Sequence, residues 1–272
     1  MKKMIRLTAS ILSMFIITSC KFNLVSITDK PTKNDIIEDN NPASSSDEID
    51  NTPTNDKTNN TEENNDTIEE NKRDSLGTWW WSKSLDIDEY LGFAKENLVT
   101  EIYFCDYHIT EASKALLEKA SKENIKVYLL LGEKEWLNDC TNLDSLITKY
   151  ITYQETASYK FSGIHLDVEP HQFSDFKDNR KDYLYKLINL VKTNKEKYSD
   201  IEFSYDIPFW LDDEIEYQNE TKACYKHIID FADRVFIMSY RDKADKMLNV
   251  SIDEINYAKE QNKSEINFTL RG

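Results

Sequence analysis

Phe161-Ser162-Gly163-Ile164-His165-Leu166-Asp167-Val168-Glu169-Pro170 is the stretch whose reading decides the fold. Its first part alternates and is apolar, as a buried strand requires. Residues two apart on a strand point to the same side, so Asp167 and Glu169 leave one face together. Pro170 cannot donate a ladder hydrogen bond, so the strand is expected to stop there. Two like charges that close repel, and one of the two acids is expected to keep its proton to a higher pH. An acid pair at a strand end is suited to general acid catalysis.

Outward from this strand the chain alternates between strand and helix patterns from Leu76 to its end. Further strands are expected at Gly77 to Trp81, Glu101 to Tyr107, Ile125 to Gly132, Glu202 to Trp210, Arg234 to Tyr240 and Glu265 to Leu270. Helix stripes fall between them. One opens at the capping box Asp86-x-x-Glu89, the next is capped by Thr110, a third starts at Asn142, and another carries Leu184, Leu187, Ile188 and Val191. Ala223, His227, Ile228 and Phe231 suggest a fifth helix, and a second capping box, Ser251-x-x-Glu254, a sixth. The continuous apolar run Val127-Tyr128-Leu129-Leu130-Leu131 suits a parallel strand covered on both faces.

Repeated βα units with right-handed crossovers build either an open doubly wound sheet or a barrel. No glycine-rich phosphate loop follows the first strand, which argues against the dinucleotide-binding sheet. Polar and aromatic residues gather after the strand ends: Trp79 to Trp81, Asp106, Glu133, Asp167, Glu169, Asp206, Trp210 and Tyr240. Barrel enzymes place their sites at that rim. The expected fold is therefore an α/β, TIM-like (β/α) barrel over residues 75–272. About seven strands fit where a full barrel has eight, so the barrel is expected to be incomplete, through truncation or by pairing its open edge elsewhere.

The 272 residues carry a formal charge of -16, which makes nucleic acid a poor partner. Residues 1–19 have the build of an export signal: Lys2, Lys3 and Arg6, a short apolar stretch from Ile11 to Ile17, then small residues before Cys20. Ile17-Thr18-Ser19-Cys20 resembles the bacterial lipobox, which implies lipidation of Cys20 and anchoring at the extracellular face of the cell membrane. Residues 20–74 hold the lipidated cysteine and a polar, acidic segment with too little apolar surface to offset its ordering entropy. It is read as a disordered linker. Cys105, Cys140 and Cys224 form no CxxC pair and no histidine sits at zinc-finger spacing. They are expected to be buried thiols, with no metal and no cofactor.

The central stretch resembles the signature of glycoside hydrolase family 18, the chitinases and related N-acetylglucosaminidases: an apolar residue, then Asp-Gly-apolar-Asp-apolar-Asp-x-Glu. Gly163, the apolar positions, Asp167 and Glu169 match it, while Ser162 and His165 replace the two earlier acids. Ile102-Tyr103-Phe104 is similar to the family's second strand, Val127 to Gly132 to its third, and Met238-Ser239-Tyr240 to the Met-x-Tyr ending its sixth. The resemblance implies Glu169 as general acid. It implies that Asp167 orients the substrate's acetamido group, whose carbonyl attacks the anomeric carbon, and that Tyr240 hydrogen-bonds that group. Such a substrate-assisted route is an exception to the two-carboxylate scheme of most glycosidases. Val168-Glu169-Pro170 is also similar to the Asn-Glu-Pro that ends strand four in the large clan of retaining glycosidases. There the acid pairs with a glutamate after strand seven, and nothing acidic follows Glu265 here.

Trp79 and Trp210 are candidate sugar-stacking platforms, with Trp81 and Trp136 as further aromatics; Asp206 is read as a supporting acid and Met238 as part of the substrate wall. His165 is expected to be a barrel-interior histidine bonded to a neighbour. Two functions of different class follow. The first is a surface-anchored glycoside hydrolase acting on N-acetylated sugar polymers, for which the retained Asp167-x-Glu169 speaks. The second is a non-catalytic carbohydrate-binding lipoprotein, or a truncated inactive barrel, for which the lost acids and the early end speak.

Overall fold

A computed structural model of the chain describes residues 15–19, 75–81, 86–261, 263 and 266–271. The strands in chain order are β1 (Phe15–Ser19), β2 (Ser75–Trp80), β3 (Glu101–Cys105), β4 (Lys126–Leu131), β5 (Gly163–Leu166), β6 (Phe203–Pro208), β7 (Glu214–Tyr217), β8 (Glu220–Ala223), β9 (Arg234–Met238) and β10 (Ile266–Arg271). The helices are α1 (Ile87–Glu96), α2 (Glu111–Lys122), α3 (Thr141–Thr156), α4 (Arg180–Lys197), α5 (Cys224–Phe231) and α6 (Ala244–Glu260). The linker expected at 20–74, with Cys20, lies outside the described residues.

All seven expected strands are present and run parallel around a ring in the order β2-β3-β4-β5-β6-β9-β10. The βα set is incomplete, as expected from seven strands. The ring is closed differently: β1 lies antiparallel between β10 and β2 and pairs with both. This strand falls within the stretch read as an export leader and had no place in the expected barrel. A small antiparallel hairpin, β7-β8, leaves the ring after β6. Its turn residues Gln218 and Asn219 both have positive φ, 54° and 66°, the backbone of a primed hairpin turn. Glutamine at the first position is a weak signal for such a turn, and the hairpin was not expected.

Alternation along the strands sorts the side chains into two layers. Leu76, Trp80, Ile102, Phe104, Val127, Leu129, Ile164, Leu166, Phe203, Tyr205, Val235 and Ile237 belong to the cluster packed under the helices. Trp79, Tyr103, Cys105, Tyr128, Leu130 and Phe236 form a separate cluster inside the ring. The helices are local as well as tertiary structures. Asp86 caps α1 by accepting from the backbone N–H groups of Asp88 and Glu89 at 2.8 and 3.2 Å. At the other end of the chain the expected capping box is overturned. α6 begins seven residues before Ser251, and both Ser251 and Glu254 are fully buried within it.

The bottom of the ring is polar. Arg234 donates to Glu101 Oε2 at 2.9 Å and to the Tyr128 hydroxyl at 3.0 Å. Tyr103 donates to the same Glu101 oxygen at 2.7 Å, and Tyr128 to Glu202 Oε1 at 3.1 Å. The Arg234 guanidinium also lies over the rings of Tyr128 and Phe236, 5.4 and 5.2 Å from their centroids.

Candidate active site

β5 delivers the site. His165 points into the ring, and the next two residues on that face, Asp167 and Glu169, stand above it. The ladder continues one step past the strand, where Asp167 N–H donates to the Leu131 carbonyl at 3.0 Å. Pro170 then opens a short 3-10 turn, Pro170–Gln172. A β-carbon on Gly132 would lie 2.5 Å from the Asp167 carbonyl oxygen, so only glycine lets the end of β4 come this close to the acid pair.

Asp167 and Glu169 line one cleft of about 400 Å³, together with Trp81, Gly132, Glu133, Lys134, Glu135 and Gln172. Gln172 donates through Nε2 to Glu169 Oε2, and His171 Nε2 lies 3.8 Å from Glu169 Oε1. Lys134 donates to the Gln172 carbonyl at 3.1 Å and lies over the Phe173 ring, so its charge is drawn to the rim. Asp167 Oδ1 is buried and finds no hydrogen-bond partner among the described residues. Burial first, then the charges of Asp206 and Glu169, push the Asp167 carboxyl well above the usual carboxylate range. The raised proton affinity thus falls on Asp167, and a protonated carboxyl is a hydrogen-bond donor rather than a nucleophile.

Beneath the pair lies a buried polar cluster. Trp79 Nε1 lies 3.0 Å from Asp206 Oδ2 and 3.3 Å from His165 Nε2. His165 Nε2 is itself 3.0 Å from the same Asp206 oxygen, and His165 Nδ1 is 2.8 Å from Ser204 Oγ. Burial, and then the Arg234 charge, push the His165 imidazole well below its ordinary range, so the ring is neutral. The Trp79 indole only donates, to Asp206 Oδ2 and more distantly to His165 Nε2, while the Ser204 hydroxyl can either donate to or accept from His165 Nδ1. His165 is therefore the bonded interior histidine that the sequence suggests.

The other expected residues are placed less simply. Trp79 is 4% exposed, tilted against Tyr103 with centroids 4.4 Å apart; it is the floor of the site and offers no face to a sugar. This corrects its reading as a stacking platform: position 79 points inward at mid-height, and the same alternation brings Trp81 to the rim. Trp81 is 40% exposed and lines the cleft. Trp210 has one face covered by Arg180, 4.7 Å from the ring centroid, and His171 and Phe176 at its edges. Trp136 is buried and bonded to Asn142. Met238, also buried, and half-buried Tyr240 stand at the end of β9, two strands from β5, and neither lines the cleft. Asp106 accepts from the backbone N–H groups of His108 and Thr110 and from the hydroxyls of Thr110 and Ser113, and closes the loop into α2. Burial opposes its charge, but these bonds outweigh it and hold the carboxyl below its usual range.

Lys134, Glu135 and Gln172 are the lining residues that the sequence reading did not single out. The rule that βα loops carry the site points to the run after β4. Gln172 is three residues from Glu169, one turn of the 3-10 helix. Among the described residues no group of three or more His, Cys, Asp or Glu side chains is arranged to hold a metal ion. Cys105, Cys140 and Cys224 hold thiols rather than disulfides, Cys140 only half-buried.

A βα ring with paired carboxylates above its strand ends is a TIM-like α/β barrel with an acidic mouth. No protein-family model matches the sequence, and no curated protein matches it. Among solved structures the chain is similar to a chitinase from Bacteroides thetaiotaomicron, at 13% identity over 67% of this chain and 61% of that one, with a TM-score of 0.44. It is similar to the spore cortex-lytic enzyme SleL of Bacillus cereus, at 16% identity over 68% and 47%, TM-score 0.43. A third is a class V chitinase from Nicotiana tobaccum, in complex with NAG4, at 11% identity over 69% and 63%, TM-score 0.41. The likeness is one of fold. The chain spans about six tenths of the length of the chitinase structures it matches.

Proposed function

We propose that the protein is a glycoside hydrolase acting on N-acetylated sugar polymers, held at the outer face of a bacterial membrane by a lipid on Cys20. The observation that carries the catalytic part is the shared cleft of Asp167 and Glu169, two acids from one strand end whose environments differ. Glu169, nearer the rim and within reach of Gln172 and His171, is the general acid. It gives its proton to the glycosidic oxygen as the bond to the anomeric carbon breaks. The substrate's acetamido oxygen forms the new bond to that carbon. Asp167, still protonated, orients the acetamido group from below. Water then opens the cyclic intermediate and returns a proton to Glu169. Trp81 supplies a flat apolar face at the entrance, and Tyr240 is placed on the acetamido group by the resemblance alone.

Replacing a general acid by its amide removes the proton donor and keeps the shape, at a cost of about 100-fold or more in rate. Glu169→Gln is therefore expected to abolish release of chromophore from chromogenic N-acetylglucosaminide oligomers that the wild type cleaves. Retained activity in this variant would remove Glu169 from the role. Oligosaccharide binding by both proteins, with turnover by neither, would establish the sugar-binding lipoprotein instead, the reading that the substituted acids at Ser162 and His165 favour.

A further inference from the structure

The proposed reaction uses Asp167 and Glu169 and leaves the buried cluster under them without a task. We propose that Asp206 is a positioning residue for Asp167: a negative charge fixed below the cleft by Trp79 and His165, which decides the protonation state that Asp167 presents to a bound sugar. The inference rests on the proposed reaction for its use, and on geometry for its existence.

Asp206 is delivered by β6, the neighbour of β5, and is buried. Its Oδ2 meets two nitrogens, the indole of Trp79 and the imidazole of His165, each at 3.0 Å. The indole of Trp79 only donates, and a donor fixed on a carboxylate oxygen favours the ionised form. His165, a ring that burial keeps neutral, packs against the same oxygen. The signature's acid at position 165 has thus been exchanged for a neutral ring that holds an acid arriving from the next strand. The negative charge persists at that depth, on a different residue.

The β5–β6 ladder pairs Leu166 with Tyr205, so Asp206 stands beside Asp167 on the neighbouring strand, while Glu169 lies on the loop of Asp167 itself. Burial first, then these two acids, raise the proton affinity of Asp167. Glu133, Lys134 and Glu135 line the cleft from the loop after β4, Lys134 with its ammonium on the Gln172 carbonyl. His165 is neutral beneath. Of these acids and the lysine, Asp206 alone is buried, with the Trp79 indole fixed on its oxygen, so a charge on it is little screened and cannot turn away.

The test is a titration of the side-chain carboxyl carbons by NMR on the whole folded protein, which requires no substrate. In the wild type, Asp167 is expected to stay protonated to well above the ordinary carboxylate range. In Asp206→Asn, which keeps size and an acceptor oxygen but loses the charge, the Asp167 midpoint is expected to fall by at least about one pH unit, a tenfold loss of proton affinity. His165→Gln keeps a neutral polar side chain beside Asp206 and is expected to leave the midpoint in place. If a sugar is cleaved, the limb of the kcat/KM profile set by Asp167 moves by the same amount in Asp206→Asn and stays in His165→Gln. An Asp167 midpoint that ignores Asp206→Asn overturns the proposal. So does an ordinary midpoint for Asp167 in the wild type, a result that needs no variant to fold. A wild type that cleaves no sugar defeats the hydrolase reading alone, and the titration still decides the role of Asp206.

Discussion

Asp167 sits where burial and two neighbouring carboxylates all oppose its charge, and a residue in that position weakens the fold that holds it. Its folded proton affinity exceeds that of the unfolded chain, whose ordinary value is 3.8. Between that value and the raised one the folded state binds more protons, so this residue's contribution is complete at low pH and is lost as pH rises through the window. His165 has the opposite sign. Its folded affinity is lowered, so its cost appears as pH falls below the ordinary histidine range, about 6.5. Asp167→Asn removes the charge and keeps the shape. It is expected to raise the melting temperature at pH 7 by several degrees, at about 2–4 °C per kcal/mol for a domain of this size. The gain should vanish in melts at about pH 3.5, where the aspartate is already protonated. Activity should fall in the same variant, a trade between stability and function that active sites often show. A melting temperature unchanged or lowered at pH 7 would mean that the aspartate is not held in its protonated form.

At the scale of the element, β5 is short and depends on its glycine. A β-carbon at Gly163 would lie 2.5 Å from the Glu202 carbonyl oxygen and 3.2 Å from the Tyr128 ring. The first of these is backbone and cannot turn aside, so β5 and β6 would have to part where Asp206 is brought to Asp167. Gly163→Ala is expected to cost about 1–3 kcal/mol, read as a lower urea midpoint, with loss of the raised Asp167 titration. This element was legible in the sequence because period-two alternation, a glycine and a proline all agree there. The seven strands were legible for the same reason, since each is a short apolar run bounded by turn residues. The start of α6 was not. Ser251 and Glu254 match a capping box in letters, but Ala244 to Val250 already carry the buried positions Met247 and Val250 at helical spacing, and the helix continues through the pair. The β7-β8 hairpin escaped because its turn uses left-handed glutamine and asparagine without a glycine. The site was half legible. Same-face spacing found Asp167 and Glu169. It could not tell the height of Trp79 in the ring from that of Trp81, because that depends on strand tilt and closure, which no single strand records.

At the scale of the whole molecule the ring is polarised along its axis. Its lower end is neutralised internally, Arg234 against Glu101 with tyrosine and glutamate partners around them. Its upper end is rich in acids, Glu133, Glu135 and the pair Asp167 and Glu169, with Lys134 as the single basic residue of the lining. Such a mouth repels polyanions. Among the described residues no helix is long and apolar enough to cross a membrane, so the proposed attachment to the membrane falls to Cys20. Labelled palmitate is expected to enter the wild-type protein in its bacterial host and to be absent from Cys20→Ala, which should also leave the membrane fraction; label retained by the variant would place the acyl chain elsewhere.

The closing strand β1 ends at Ser19, one residue upstream of that cysteine. Maturation before Cys20 would carry away the segment that, among the described residues, joins β2 to β10. If this stretch is the leader of the proposed lipoprotein, it can serve as a stave of the cask or be discarded after export, but in a single polypeptide it cannot do both. A matured chain would then turn two unsatisfied backbone rims toward the same vacancy, and whatever seals it must come from a different stretch of polypeptide.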